Sequence, residues 1–186
     1  MQARSPKGKL VFDGEIFRVY QWKQRLYDGS YATFEVATRP SIVQILPEVD
    51  QKIAIAFEEQ PAMDPTLGLI GGVMEDGEPP LAAAKRELLE ESGMNARKWK
   101  LLGKFSNSGK VLFDVYLFAA VGCRKVAEQK LDPGEKIAVR YTTPGRLMEN
   151  IARMRTSPEI KHYLTEIRYV EKKRKAFEAL FSNGGK

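Results

Sequence analysis

One segment limits the fold more than any other: GGVMEDGEPPLAAAKRELLEESGM, residues 71–94. Pro79 and Pro80 cannot lie inside a helix but suit its first turn, and Gly93 suits the left-handed position that ends one. Between them the spacing predicts a helix over about 80–92, rich in good formers. At about 100° per residue, Glu90 and Glu91 fall about 60° and 40° to either side of Glu87. The three carboxylates thus share one arc, and each like-charge pair at i,i+3 or i,i+4 costs an isolated helix about 0.2–0.5 kcal/mol. Lys85 and Arg86 fall off that arc. Leu81, Ala82, Leu88 and Leu89 give the rest of the helix a wide apolar surface, so it is expected to pack into the domain with the acidic stripe at a cleft edge. A solvated acidic face is the plain alternative. A divalent cation would relieve the repulsion, because hard cations take carboxylate oxygens and, for Mg²⁺, waters and substrate phosphates as well.

The remaining chain supplies a sheet. Residues 10–38 alternate as a hairpin or meander around Asp28-Gly29, a strong two-residue turn signal. SIVQILP (41–47), KIAIAFEE (52–59), KVLFDVYLFAAV (110–121) and KIAVRYTT (136–143) read as further strands, and LIGG as a short one. PAMDPTLG (61–68), with two prolines and a glycine, reads as a loop. GRLMENIARM (145–154) is a short helix. A single long helix is expected from Pro158 to the end, with Ser157 or Thr156 as its cap and Ile160, Leu164, Ile167 and Val170 on its apolar face.

Composition excludes several classes of function. With 186 residues, 43% hydrophobic and 29% charged, the chain can bury one core. No apolar run approaches the ~20 residues that span a bilayer, and the first residues show no signal-peptide core, so a cytoplasmic location without membrane association is expected. Cys123 is the only cysteine and is expected to be a small buried hydrophobe; His162, the only histidine, is expected on a helix surface. The net charge of +6 is concentrated in the last helix, around EKKRK (171–175). No aromatic residue interleaves with that run, which weighs against nucleic acid as a partner and favours a solvated face.

The box itself is specific. Gly72, Glu78, Arg86-Glu87-Leu88, Glu90-Glu91 and Gly93-Met94 stand at the spacing of the Nudix box, and the chain resembles the Nudix hydrolases at every fixed position. The resemblance implies an α+β fold in which a mixed sheet lies between helices. Here it would be a Nudix domain over 41–186, preceded by a β extension over 1–40 serving dimerisation and substrate binding. It implies Mg²⁺, or alternatively Mn²⁺, held by Glu87, Glu90, Glu91 and the Gly71 carbonyl. Arg86 would orient a box glutamate, and Glu90 or Glu135 would assist the attacking water, Glu135 from a loop expected over the substrate.

The leading strands resemble those of the ADP-ribose pyrophosphatase and nucleoside-diphosphate-sugar branch, in which they commonly form a homodimer. Trp22, Phe17, Tyr20 and Arg39 become candidates to hold a base or diphosphate, with strand packing as the competing explanation for each. Arg39 is the strongest of them, because an arginine beside Pro40 at a strand start is poorly placed for a core. Departures from that branch leave the substrate open. Pro61-Ala62 stand where an arginine is usual, SNSGKVLFD lacks the Ser-Pro-Gly loop and its acid, and LDPGEKI keeps only Asp132 and Glu135. The leading expectation is hydrolysis of ADP-ribose or a nucleotide sugar to NMP and a sugar phosphate. An RNA-end or dinucleotide pyrophosphohydrolase is the alternative within enzymes, and an inactive nucleotide-binding regulator the alternative outside them.

Overall fold

A computed structural model describes residues 7–61, 63–107 and 109–182. Ala62, Ser108, the first six residues and the Gly-Gly-Lys end, all used in the sequence reading, lie outside the described residues. In chain order the elements are β1 (Lys9–Asp13), β2 (Arg18–Arg25), β3 (Tyr31–Thr38), β4 (Ile42–Val49), β5 (Lys52–Gln60), β6 (Met63–Gly68), α1 (Pro80–Ser92), β7 (Met94–Asn95), β8 (Lys98–Asn107), β9 (Val111–Val121), β10 (Arg124–Lys125), β11 (Lys136–Thr142), α2 (Pro144–Asn150), α3 (Pro158–Tyr169) and α4 (Glu171–Ser182). A 3₁₀ turn, Ile151–Arg153, follows α2.

The main sheet runs β1-β2-β3-β9-β4-β5-β11, with β6 added to β5 and β8 to β9. β9 organises it. Its first residues pair in parallel with β3 at Ala37 and Thr38, and the next stretch pairs in parallel with β4 from Ile42 to Pro47. Alternation along the strands divides the core in two. Val115, Leu117, Leu46, Ile53 and Ile55 face α2, α3 and α4, while Phe118, Ala120, Val43, Ile45, Ala54 and Ala56 face α1. The sheet therefore lies between helices, as expected.

Several local expectations change. The prolines of 61–68 do not prevent β6 from pairing with β5. Among the strands β6 pairs with β5, and Pro65 falls where the register shifts between Glu58 and Gln60, a bulge that needs no ladder donor. The Asp28-Gly29 signal produces a five-residue loop, with the Asp28 carboxylate accepting from the Ser30 amide and hydroxyl. The tight two-residue turn is instead Asp50-Gln51, both at positive φ (48° and 64°). β8 had no counterpart in the sequence reading, because a bulge between Leu101 and Gly103 breaks its alternation.

The final helix breaks at Val170, which is extended (φ −103°, ψ 102°). A straight helix over 158–182 would run about 37 Å. Ile160, Leu164 and Ile167 of α3 and Phe177 and Phe181 of α4 all enter the same core, which the break makes reachable. His162 is exposed and Cys123 buried, as expected.

α1 packs with the opposite preference to that expected. Ala83, Ala84, Glu87, Leu88, Glu91 and Ser92 are buried, while Leu81 and Leu89 are about two-fifths exposed (39% and 42%). Two of the three stripe glutamates thus lie on the core side. Gly93 ends the helix at φ +68°, donating its amide to the Leu89 carbonyl, and a Cβ there would come within 2.1 Å of the Ala127 carbonyl oxygen. The same glycine carbonyl accepts from the amides of Val126 and Ala127. Gly93→Ala is therefore expected to cost about 1–3 kcal/mol, read as a lowered urea midpoint at unchanged m. An unchanged midpoint would contradict the tight approach at this cap.

Candidate active site

The box is seated by backbone pairing. Residues 70–74 run along β4: Ile45 donates to the Ile70 carbonyl (2.8 Å), Val43 to Gly72 (2.9 Å), and Met74 to Ser41 (2.9 Å). The carbonyls on either side of Gly71 are thus spent on β4, which leaves Gly71's own carbonyl off that ladder. Its amide donates to Glu91 Oε2 at 2.9 Å. Gly72 lies against Glu87 so closely that a Cβ there would meet its carboxylate oxygen at 2.6 Å. A side chain there would have to displace the Glu87 carboxylate from its place.

Arg86 ties the acidic residues together. Its Nε and Nη2 donate to the two oxygens of Glu78 (3.2 and 3.1 Å), and Nη1 donates to Glu87 (2.8 Å) and Glu90 (3.0 Å). Nη2 also donates to the Val73 carbonyl at 2.9 Å. The helical wheel placed this arginine off the stripe, but its length and planar fork bring the charge back over it. Hydrogen bonding to Arg86 holds the Glu78 carboxyl below its ordinary range. Burial outweighs the same arginine at Glu87, whose carboxyl rises from 4.5 to about 7. Burial also drives Glu91 well above the ordinary value, against the pull of the Gly71 amide.

Glu135 joins this group from the turn before β11, its amide bonded to the Asp132 carbonyl at 3.0 Å. Its charge acts on both Glu87 and Glu91. Burial, with Asp132 and Glu58 nearby, raises its own carboxyl. Three residues absent from the sequence reading also meet here. Glu58 ion-pairs with Arg155, and Gln60 donates to both Glu58 and Glu135. The acidic end of the apolar strand KIAIAF was a usable signal for Glu58, whereas Arg155 follows a 3₁₀ turn with no periodicity to mark it.

The aromatic and arginine candidates are held by neighbours on and beside the leading strands. Trp22 stays on the β1–β3 ribbon, donating to Gln24 at 3.2 Å and packing on Phe34. The Arg39 guanidinium lies over the Phe113 ring, 5.2 Å from its centroid, and its buried Nε has no hydrogen-bond partner among the described residues. It sits where β9 changes partner from β3 to β4.

The donor chemistry fits a hard divalent cation: three carboxylates and the Gly71 carbonyl, all oxygen. As they stand, these carboxylates are drawn to Arg86 and to the Gly71 amide. Among the described residues, no three acidic, histidine or cysteine side chains already converge as a coordination sphere.

Fold and box together define a hydrolase of the Nudix type. The NUDIX domain matches residues 39–165, more than half of the chain, and the protein belongs to the Nudix family. It is an enzyme of the pyrophosphohydrolase class, and members of the family generally work with a divalent metal. An ADP-ribose pyrophosphatase from Bacillus subtilis (strain 168) is 28% identical over 137 residues, 72% of this chain and 74% of that one. A solved structure described as an ADP compounds hydrolase superposes with a TM-score of 0.65 at 20% identity, covering 91% of this chain and 86% of that one, and so shares the fold. Among the described residues, no helix is long and apolar enough to cross a membrane.

The buried carboxylates carry a pH dependence. The folded protein holds their protons more tightly than the unfolded chain, so stability in chelator falls as pH rises from about 4.5 to about 7 and then levels for Glu87, with Glu91 acting in the same direction. Glu87→Gln is expected to shrink the loss between pH 5 and pH 8 by about 1–3 kcal/mol in urea unfolding. An identical pH dependence in wild type and variant would show that Glu87 ionises as freely folded as unfolded.

Proposed function

We propose that this enzyme is a Mg²⁺-dependent hydrolase of the diphosphate in ADP-ribose or a nucleoside-diphosphate sugar, releasing NMP and a sugar phosphate. The observation that carries this is the seating of Glu87 and Glu91 on the buried side of α1, against Gly71 and Gly72. Buried, repelling carboxylates need positive charge or hydrogen-bond donors to stay anionic, and Arg86 alone does not hold Glu87 in the ordinary range. The names of the B. subtilis relative and of the structural neighbour support the substrate class.

In this reading Glu87, Glu90, Glu91 and the Gly71 carbonyl hold the cation, and Mn²⁺ is the alternative ion. When bound, the cation neutralises the diphosphate and acidifies a water. Arg86 keeps Glu87 and Glu90 from turning away, and Glu78 fixes Arg86. Glu135, raised by burial, is suited to accept a proton from the attacking water. Arg39, two residues before Ser41, whose carbonyl accepts from the box loop at Met74, is the candidate for substrate contact. Trp22 reaches substrate only if the ribbon of one copy borders the site of another.

A panel of ADP-ribose, nucleotide sugars, dinucleoside polyphosphates and capped RNA, assayed with Mg²⁺ for released phosphate esters, tests the assignment. Turnover only of capped RNA or dinucleotides would overturn it. Glu87→Gln and Glu91→Gln are expected to lower kcat by about 10²-fold or more with the fold intact by circular dichroism. Glu135→Gln is expected to lower kcat by about 10²–10⁴-fold and remove the acidic limb of the pH–rate profile. Retention of that limb would exclude Glu135 as the base.

The ribbon supports a homodimer. Val11, Phe12, Ile16, Tyr27 and Tyr31 are 48–112% exposed on it, more apolar surface than a three-stranded edge ordinarily leaves to water. Light scattering at micromolar concentration is expected to give twice the 21.0 kDa chain mass, and Phe12→Asp to shift it toward one. A monomeric wild type would remove both the dimer and Trp22's route to the site.

A further inference from the structure

Arg155 has no place in the box, and the stretch that carries it is docked with unusual care. Its amide donates to the Leu67 carbonyl at 2.7 Å, and it forms a parallel bridge to Gly68, where a Cβ would meet the Arg155 carbonyl oxygen at 3.2 Å. With its backbone fixed on β6, the side chain crosses β5. There it ion-pairs with Glu58 and places Nη1 3.3 Å from Met63 Sδ. Glu58 is the more buried partner, its side chain 12% exposed against 35% for Arg155.

The chain of contacts continues inward. The Gln60 Nε2 donates to Glu58 Oε1, and the same nitrogen lies 3.4 Å from Glu135 Oε1. Two carboxylates facing one amide require its NH₂ end toward them, which settles the orientation of the Gln60 side chain. Gln60 is the hydrogen-bond partner of the Glu135 side chain among the described residues. Glu58 and Glu135 are like charges in one partly buried quarter, and without a cation on Glu58 they would push apart.

We infer that Arg155 is a positioning residue: through Glu58 and Gln60 it holds the Glu135 end of its loop on β5, while Gln129 and Lys130 tie the other end to the carbonyls of Glu91 and Glu90 in α1. The guanidinium neutralises Glu58, the neutralised Glu58 orients the Gln60 amide, and that amide fixes Glu135. Substrate contact by Arg155 is not part of this arrangement. The catalytic consequence rests on the role proposed for Glu135 above; the structural consequence stands without it.

The test has two arms. Amide hydrogen exchange of the metal-free protein reads the loop directly. Arg155→Gln is expected to speed exchange in residues 131–136 by about tenfold or more while α1 and β9 stay protected, and Arg155→Lys is expected to restore most of the protection. Gln60→Leu, which leaves the Arg155–Glu58 pair in place, is expected to loosen the same loop and serves if Arg155→Gln does not fold. The kinetic arm is a double-mutant cycle on the substrate turned over best. Arg155→Gln is expected to lower kcat about tenfold with little change in KM, and to have no further effect in a Glu135→Gln background. Unchanged exchange in 131–136 for both Arg155→Gln and Gln60→Leu would overturn the inference. So would a raised KM at constant kcat, which would make Arg155 a substrate-binding residue. If no substrate in the panel is turned over, the proposed function fails and the exchange arm alone decides the inference.

Discussion

The site depends on one guanidinium. Arg86 is bonded to Glu78, Glu87, Glu90 and the Val73 carbonyl, and so joins the box loop to the second half of α1. A cluster of carboxylates brought this close would be driven apart or protonated without it. At Glu78 its attraction wins, because the carboxylate takes both arms of the fork. At Glu87 desolvation wins, and the group is left near neutrality in pKa. The same cation thus leaves one acid fixed as an anion and another open to a proton or a metal.

Seating the box requires a second constraint, the pairing of residues 70–74 with β4. β4 can accept this segment because it pairs with β5 only at Glu48 and Val49, next to the tight turn. β5 pairs over the rest of its length with β6 and β11, which brings Glu58 and the turn carrying Glu135 to the same end. Glu48 lies at the narrow end, almost fully buried, with its two oxygens taken by the Gln51 and Gly122 amides. A buried carboxylate satisfied by backbone donors pins the β4–β5 turn to the end of β9.

Much of this was legible in the sequence, for reasons that are themselves physical. Pro79-Pro80 and Gly93 bound the helix because backbone sterics are local, and the strands showed because burial imposes alternation. The box glutamates were legible because their spacing is fixed by a short loop and one helix. The side of α1 that is buried was not, since Leu81 and Leu89 promise more burial than Glu87 and Glu91 until Arg86 and the Gly71 amide are in place. β6 was hidden by Pro65, whose bulge exists only in the context of β5. Glu58, Gln60 and Arg155 lie in segments without periodicity or far apart in the chain, so nothing local announces their meeting.

The spacing of these contacts also orders the assembly in time. Gly71 and Glu91 are 20 positions apart, whereas Gln60 and Glu135 are 75 apart and Glu58 and Arg155 97 apart. Closing the longer loops costs more chain entropy and is slow when strand pairing must come first. The Gly71–Glu91 contact is thus local, while Glu135 and Arg155 reach their partners only with β11 and the α2–α3 connection. Completing the group around the box therefore waits on the last third of the chain, which brings Glu135 and Arg155 to residues laid down long before them.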